Sequence, residues 1–199
     1  EYAFLMQALA CIFGMFLALS ALATQVLDIL ARYKREAMVD PLSGLFNRRG
    51  FDNAIMEKQA NALPRGSLLV CDIDHFKIVN DEYGHAVGDQ VIKALSSLLA
   101  QIAPAGAIAA RFGGEEFVLF LPETDAACAA EIANEVREAF VQLTTQRFGQ
   151  GRRLTASFGL STTQAGDRSI HDAIARADEA LYEAKARGRN RVCVRRALS

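Results

Sequence analysis

Hydrophobic and polar positions change their rhythm several times along this chain, and the chain divides where the rhythm changes. From Tyr2 to Leu27 run 26 residues without a charge, and the first thirty residues hold 23 hydrophobic ones. That run is long enough to cross a hydrocarbon core as a helix with some tilt. It predicts a transmembrane helix over residues 1–30, followed by a basic helical linker at 31–39 that carries Arg32, Lys34 and Arg35. Short-range positive charge assigns the remainder to the cytoplasmic side, so the expected location is the inner membrane with the C-terminal part in the cytoplasm. Gln7, Ser20, Thr24 and Gln25 leave a buried or dimer-forming helix as the alternative. The segment lacks the basic n-region of a secretory signal and reads as the end of a longer N-terminal region.

Past residue 40 the pattern is that of a globular domain spanning 40–199. Asp40-Pro-Leu-Ser-Gly44 reads as a turn. A helical stretch then runs from Asn47 to Leu63, and the apolar run Ser67–Asp74, ending in acids, predicts a buried strand. Helical periodicity returns from Gly88 to Ile102. Ala107–Phe112 and Phe117–Leu121 are two strand-like runs around Gly-Gly-Glu-Glu, a hairpin pattern. A helix at Thr124–Leu143, a strand at Leu154–Leu160, a helix at Ile170–Arg187 and a strand at Arg191–Val194 complete the chain. The order predicts an α+β fold with a central mixed β-sheet flanked by helices.

Composition changes this picture little. The 199 residues are 51% hydrophobic with a net charge of −1, so nothing favours a nucleic-acid partner, which would call for a basic surplus. The four Cys (11, 71, 128 and 193) show no Cys-x-x-Cys spacing and suit a reducing compartment. His75, His85 and His171 have no metal-ligand spacing.

Candidate chemistry falls at the ends of elements. Asp72 and Asp74 close one strand, Glu115 and Glu116 occupy the hairpin tip, and the acids converge if those strands are neighbours. Such oxygen donors suit a hard divalent cation shared with substrate phosphates. Gly113 and Gly114 remove side chains beside them. Lys185 and Arg189, four apart, share a helical face if the helix persists that far, and cations there suit phosphate oxygens. Each feature has a bland reading as a solvated turn or a helix-end cation. Asp74 and Asp81 also fit a role in orienting loops. Arg111 suits a phosphate or a nearby acid equally.

The ordered combination is more specific. Asp40-Pro-Leu-Ser-Gly-Leu-Phe-Asn-Arg-Arg49, Asp72-Ile-Asp-His-Phe-Lys-Ile-Val-Asn-Asp-Glu-Tyr-Gly-His-Ala-Val-Gly-Asp89, Arg111-Phe-Gly-Gly-Glu-Glu-Phe117 and Ala177-Asp-Glu-Ala-Leu-Tyr-Glu-Ala-Lys-Ala-Arg-Gly-Arg-Asn190 resemble the signature blocks of the GGDEF domain, the diguanylate cyclase family. The resemblance covers roughly residues 38–195. It implies a fold like that of nucleotide cyclases and polymerase palms. It also implies Mg²⁺ or Mn²⁺ as cofactor, and a head-to-head homodimer that condenses two GTP into cyclic di-GMP with loss of two pyrophosphates. Carried over, Asp72, the Ile73 carbonyl and Glu115 are metal ligands, and Glu116 is a further ligand or helps activate the 3′-hydroxyl. Asn80 and Asp89 read guanine. Phe76, Lys77, Gly113, Gly114, Lys185 and Arg189 lie against the phosphates. A silent nucleotide-binding sensor is the alternative, though relatives of that kind lack the tip acids. Glu115 stands where Asp is commoner in the family, and Ser43 where Thr is. Many members carry an inhibitory product site, Arg-x-x-Asp, just upstream of the tip. Here Pro104 and Ala107 stand at those positions, which implies no such site.

Overall fold

The computed structural model describes residues 2–36, 38–59, 62–148 and 153–195, with backbone only at 3–5, 8–12, 28–36 and 147–148. The chain forms two units, Glu1–Met38 and Val39–Ser199. The first is a single helix, α1 (Tyr2–Glu36). Phe13, Met15, Phe16, Leu19, Leu22, Val26 and Leu27 are exposed along it. The transmembrane expectation is not met as stated: among the described residues no helix is long and apolar enough to cross a membrane. Several apolar side chains behind that expectation, at 3–5 and 8–12, lie outside the described residues.

The second unit is a sheet covered by helices on both faces. In chain order it contains β1 (Phe46–Asn47), α2 (Arg48–Lys58), β2 (Gly66–Ile73), α3 (Phe76–Tyr83), α4 (His85–Ile102) and β3 (Ile108–Gly113). There follow β4 (Glu116–Pro122), α5 (Ala126–Phe148), β5 (Ala156–Thr162), α6 (Ile170–Ala186) and β6 (Val192–Val194). Strand order is β1-β3-β4-β2-β5-β6. The β1–β3 and β5–β6 pairs are parallel and the rest antiparallel, so the sheet is mixed, as its pattern predicts.

Alternation along β2 and β4 decides which helices cover which face. Leu69, Cys71, Ile73, Phe117, Leu119 and Leu121 point to one side and pack with Val91, Leu95 and Leu99 of α4 and Ala133, Val136 and Phe140 of α5. Leu68, Val70, Val118 and Phe120 point to the other and meet Phe51 and Ile55 of α2 and Ile170, Ala173, Ala177 and Leu181 of α6. Period-two strands against 3.6-residue helical stripes produce this layering. At Gly159 of β5 a Cβ would run into Ala177 O and Leu181 N, so α6 lies backbone-close to the sheet. Ser169 starts α6 with a capping box closed by Asp172.

Several boundaries differ from the sequence reading. The first helix of this unit ends at Lys58 rather than near Leu63; residues 60 and 61 lie outside the described residues. Helix α3 has no counterpart in that reading, because eight residues are too few to show a helical period. Gly84, at φ 81°, separates it from α4, a left-handed turn that glycine adopts without steric cost. β5 starts at Ala156, and the two residues of β1 are too short to leave a pattern.

Candidate active site

The strands bearing the acids are indeed neighbours. β3 and β4 form the hairpin, with a register shift between Arg111 and Gly113, and β4 pairs with β2 so that Glu116 faces Asp72. Ile73 N donates to Glu115 O at 3.4 Å, fastening the hairpin tip to the end of β2. Asp72 is buried, Glu115 half-buried and Glu116 exposed. Burial pushes the Asp72 carboxyl above its usual range, with Asp74 adding to the rise and Lys185 and Arg189 opposing it. Burial also raises Glu115, and the Asp72 charge adds to that rise.

Two carboxylates that disfavour each other's ionisation make a place for a cation. In this structure the ammonium of Lys185 stands there, 2.8 Å from Asp72 Oδ1. Among the described residues no three acidic, His or Cys side chains form a cage that would hold a metal unaided. The donor set (Asp72, Glu115, a backbone carbonyl) fits a small hard divalent cation, which keeps several waters and takes its remaining ligands from substrate phosphates.

Lys185 therefore reaches the acids through α6, but Arg189 does not share its helical face. α6 ends at Ala186, and Gly188, Arg189 and Asn190 follow at φ 108°, 63° and 47°. Arg189 reaches the site from this left-handed turn, close enough for its charge to act on Asp72. Phe76 and Lys77 open α3, Phe76 buried and Lys77 exposed. His75, at φ 58°, turns the chain from β2 into that helix. Asn80 lies half-buried on α3, and Asp89 is exposed on α4. Around Gly113 and Gly114 there is open space where side chains would stand.

The Asp74 carboxylate is taken up by other partners. It accepts from Thr155 Oγ1 at 2.6 Å, Ser157 Oγ at 2.7 Å and Asn190 N at 3.1 Å. Arg137 Nη1 donates to Asn190 Oδ1 at 3.2 Å. Asp74 thus anchors the turn that presents Arg189. Spacing gave no sign of these partners, although Gly and Asn close together mark a turn.

Arg111 pairs with Asp40, Nη1 to Oδ1 at 3.0 Å. Its Nε and Nη2 donate to Gly114 O at 2.9 and 2.7 Å. Asp40 also accepts from Ser43 N at 2.8 Å. Burial works against Asp40 ionisation, yet these donors outweigh it and hold the carboxyl below its usual range. The Asp-Pro-Leu-Ser-Gly turn is thus the brace of the hairpin tip. Arg48 lies over the Phe112 ring at 5.3 Å, a stacking contact. Pro104 and Ala107 line a hollow of about 380 Å³ with Val39, Leu45, Phe46 and Ala100, and among the described residues no charged side chain lines it.

The mixed sheet thus brings acids from a strand end and a hairpin tip to a cation near the end of a helix. The chain belongs to the GGDEF family, whose description, "Diguanylate cyclase, GGDEF domain", matches residues 37–191. It is 45% identical over 166 residues to the diguanylate cyclase VdcA of Vibrio cholerae, covering 82% of this chain and 48% of that protein. The coiled coil and GGDEF domain of DgcB from Caulobacter crescentus, crystallised with c-di-GMP, superposes with a TM-score of 0.75 at 34% identity. That match covers 88% of this chain and 94% of the other. The active GGEEF domain of a Vibrio cholerae diguanylate cyclase matches at TM-score 0.67 and 34% identity, over 76% of this chain and 97% of that one. The chain spans about half or less of the length of the first curated relatives it matches.

Proposed function

We propose that this chain is the catalytic part of a diguanylate cyclase that joins two GTP into cyclic di-GMP and releases two pyrophosphates. The observation that carries the reading is the pairing of Asp72 with Glu116 across β2 and β4, with Lys185 on Asp72. Each copy holds one GTP, and two copies face each other so that each 3′-hydroxyl attacks the other's α-phosphate. Asp72, Glu115 and the Ile73 carbonyl are the residues that hold the divalent ion. A bound magnesium or manganese ion supplies positive charge to the α-phosphate and makes the 3′-hydroxyl easier to deprotonate. Glu116, the more exposed tip acid, completes this donor set or takes the hydroxyl proton.

The remaining residues orient the nucleotide. Lys185 and Arg189 neutralise the terminal phosphates. The backbone at Phe76 and Lys77 and the space over Gly113 and Gly114 accept phosphate oxygens. Asp89 accepts from the donor edge of guanine beside Asn80, since guanine N1–H and its amino group are both donors. Incubating the purified protein with GTP and Mg²⁺ tests the reading. Cyclic di-GMP is expected, and a demonstrably dimeric sample that makes none would leave the silent sensor in its place.

The same reading attaches the protein to the inner membrane through α1, with the catalytic unit in the cytoplasm. The uncharged run Tyr2–Leu27, the basic residues after it and the exposed apolar side chains from Phe13 to Leu27 support it. Recovery of the chain in the membrane and its extraction only by detergent are expected. A monodisperse sample in plain buffer would sink this part.

A further inference from the structure

We infer that Gly88 is a positioning residue for base selection: it leaves the room in which the Asn80 carboxamide stands. Gly88 is buried at the end of the first turn of α4, where its φ is not among the left-handed ones. The backbone therefore does not require glycine there. Glycine inside a helix is unfavourable by about 1 kcal/mol relative to alanine, so its presence has to answer to packing. A Cβ at Gly88 would run into Asn80 Oδ1 and stand 3.1 Å from Asn80 Cγ and 3.2 Å from Phe76 Cζ.

What obstructs that Cβ matters as much as how close it lies. At Gly159 the obstacle is the backbone of α6, which gives way only by moving a helix. At Gly88 the first obstacle is the end of a side chain, which can rotate. A methyl group at 88 would leave α4 on its course and turn the Asn80 head out of its place, with Phe76 yielding by a few tenths of an ångström. The next residue along α4 is Asp89, so one close approach between α3 and α4 fixes the spacing of both groups assigned to guanine. The inference rests on the reading of Asn80 given above.

The experiment uses the full chain in detergent and four proteins: the parent, Gly88→Ala, Asn80→Ala and the double variant. Calorimetric binding of non-hydrolysable GTP and ATP analogues with Mg²⁺ is read alongside the melting temperature. Gly88→Ala is expected to melt no lower than the parent, because alanine is the better helix former. It should bind the GTP analogue about tenfold more weakly, the scale of one hydrogen bond to the base, with ATP-analogue binding unchanged. The double variant should bind like Asn80→Ala alone, since a residue acting through Asn80 has nothing left to disturb.

If Asn80→Ala weakens binding and Gly88→Ala does not, the inference on Gly88 fails while the Asn80 reading stands. If neither matters, or the parent does not bind the GTP analogue, the reading of the site fails and takes the inference with it. A fresh loss in the double variant, in binding or in melting temperature, would assign the effect to Phe76 or the fold and overturn the inference.

Discussion

Arg111 donates twice to the carbonyl of Gly114 and once to Asp40, so one guanidinium holds the hairpin tip against the turn at residues 40–44. A lysine keeps the charge and loses the fork. Arg111→Lys is expected to lower turnover about 10–100-fold, the usual loss when a group that orients a metal ligand is removed, with the circular dichroism spectrum unchanged. Steady-state rates against GTP check it. Asp40 and Asp167 set the acid limit of stability. Hydrogen bonds from Arg176, 2.6 Å at the closest, hold Asp167 below its usual range, as those from Ser43 and Arg111 do Asp40. In the unfolded chain both carboxyls return to ordinary values, so the unfolded state binds protons first as the pH falls. Their contribution is complete above the ordinary carboxylate range and is lost as the pH drops through the depressed folded values. The share of melting temperature owed to these two carboxylates should be lost below about pH 4. Asp167→Asn should remove part of that loss and lower stability at neutral pH by about 2 kcal/mol.

At the scale of elements, the contact between α6 and β5 leaves no room for a methyl group at Gly159. Ala177 O and Leu181 N stand where a Cβ on Gly159 would lie, with Leu181 Cα 2.9 Å away. Gly159→Ala should therefore destabilise the domain by about 2–3 kcal/mol, measured by denaturant unfolding, whereas the alanine at 88 should not. How much of this was legible in the sequence varied with the length of each element. β2 and the β3–β4 hairpin announced themselves, since an apolar run ending in acids and a Gly-Gly tip between two such runs are local signals. α3 is two turns long and β1 two residues, so neither repeats its period often enough to be seen. The acids of the site were readable for the same local reason. Asp74 was not, because Thr155, Ser157 and Asn190 reach it from more than eighty residues away. Helix α6 ends at Ala186, one residue short of the expected Arg187, so the condition under which Arg189 would share a face with Lys185 is not met. Arg189 reaches the acids through a left-handed turn instead.

The whole molecule carries half of each proposed active site, so its rate should depend on encounter. Specific activity is expected to rise with protein concentration until dimers saturate, and fusion to a constitutive dimer should remove that dependence; a concentration-independent rate from monomers would contradict it. Among the described residues lining the hollow at Pro104 and Ala107, none supplies a guanidinium or a carboxylate. Cyclic di-GMP added well below the GTP concentration should leave the initial rate unchanged, while inhibition there would reveal a clamp elsewhere.

Strand β2 is paired at seven positions with β4 and at seven with β5, and its last two residues, Asp72 and Ile73, belong to the proposed ion-holding group. A strand fastened on both flanks opens only when much of the sheet opens with it, and amide exchange at Asp72 and Ile73 should be among the slowest in the chain. A site mounted on a strand held on both sides leaves a signal little to bend. For the proposed cyclase, control would then be a matter of traffic: which copies meet, how often and for how long, each bringing its half of the site already shaped.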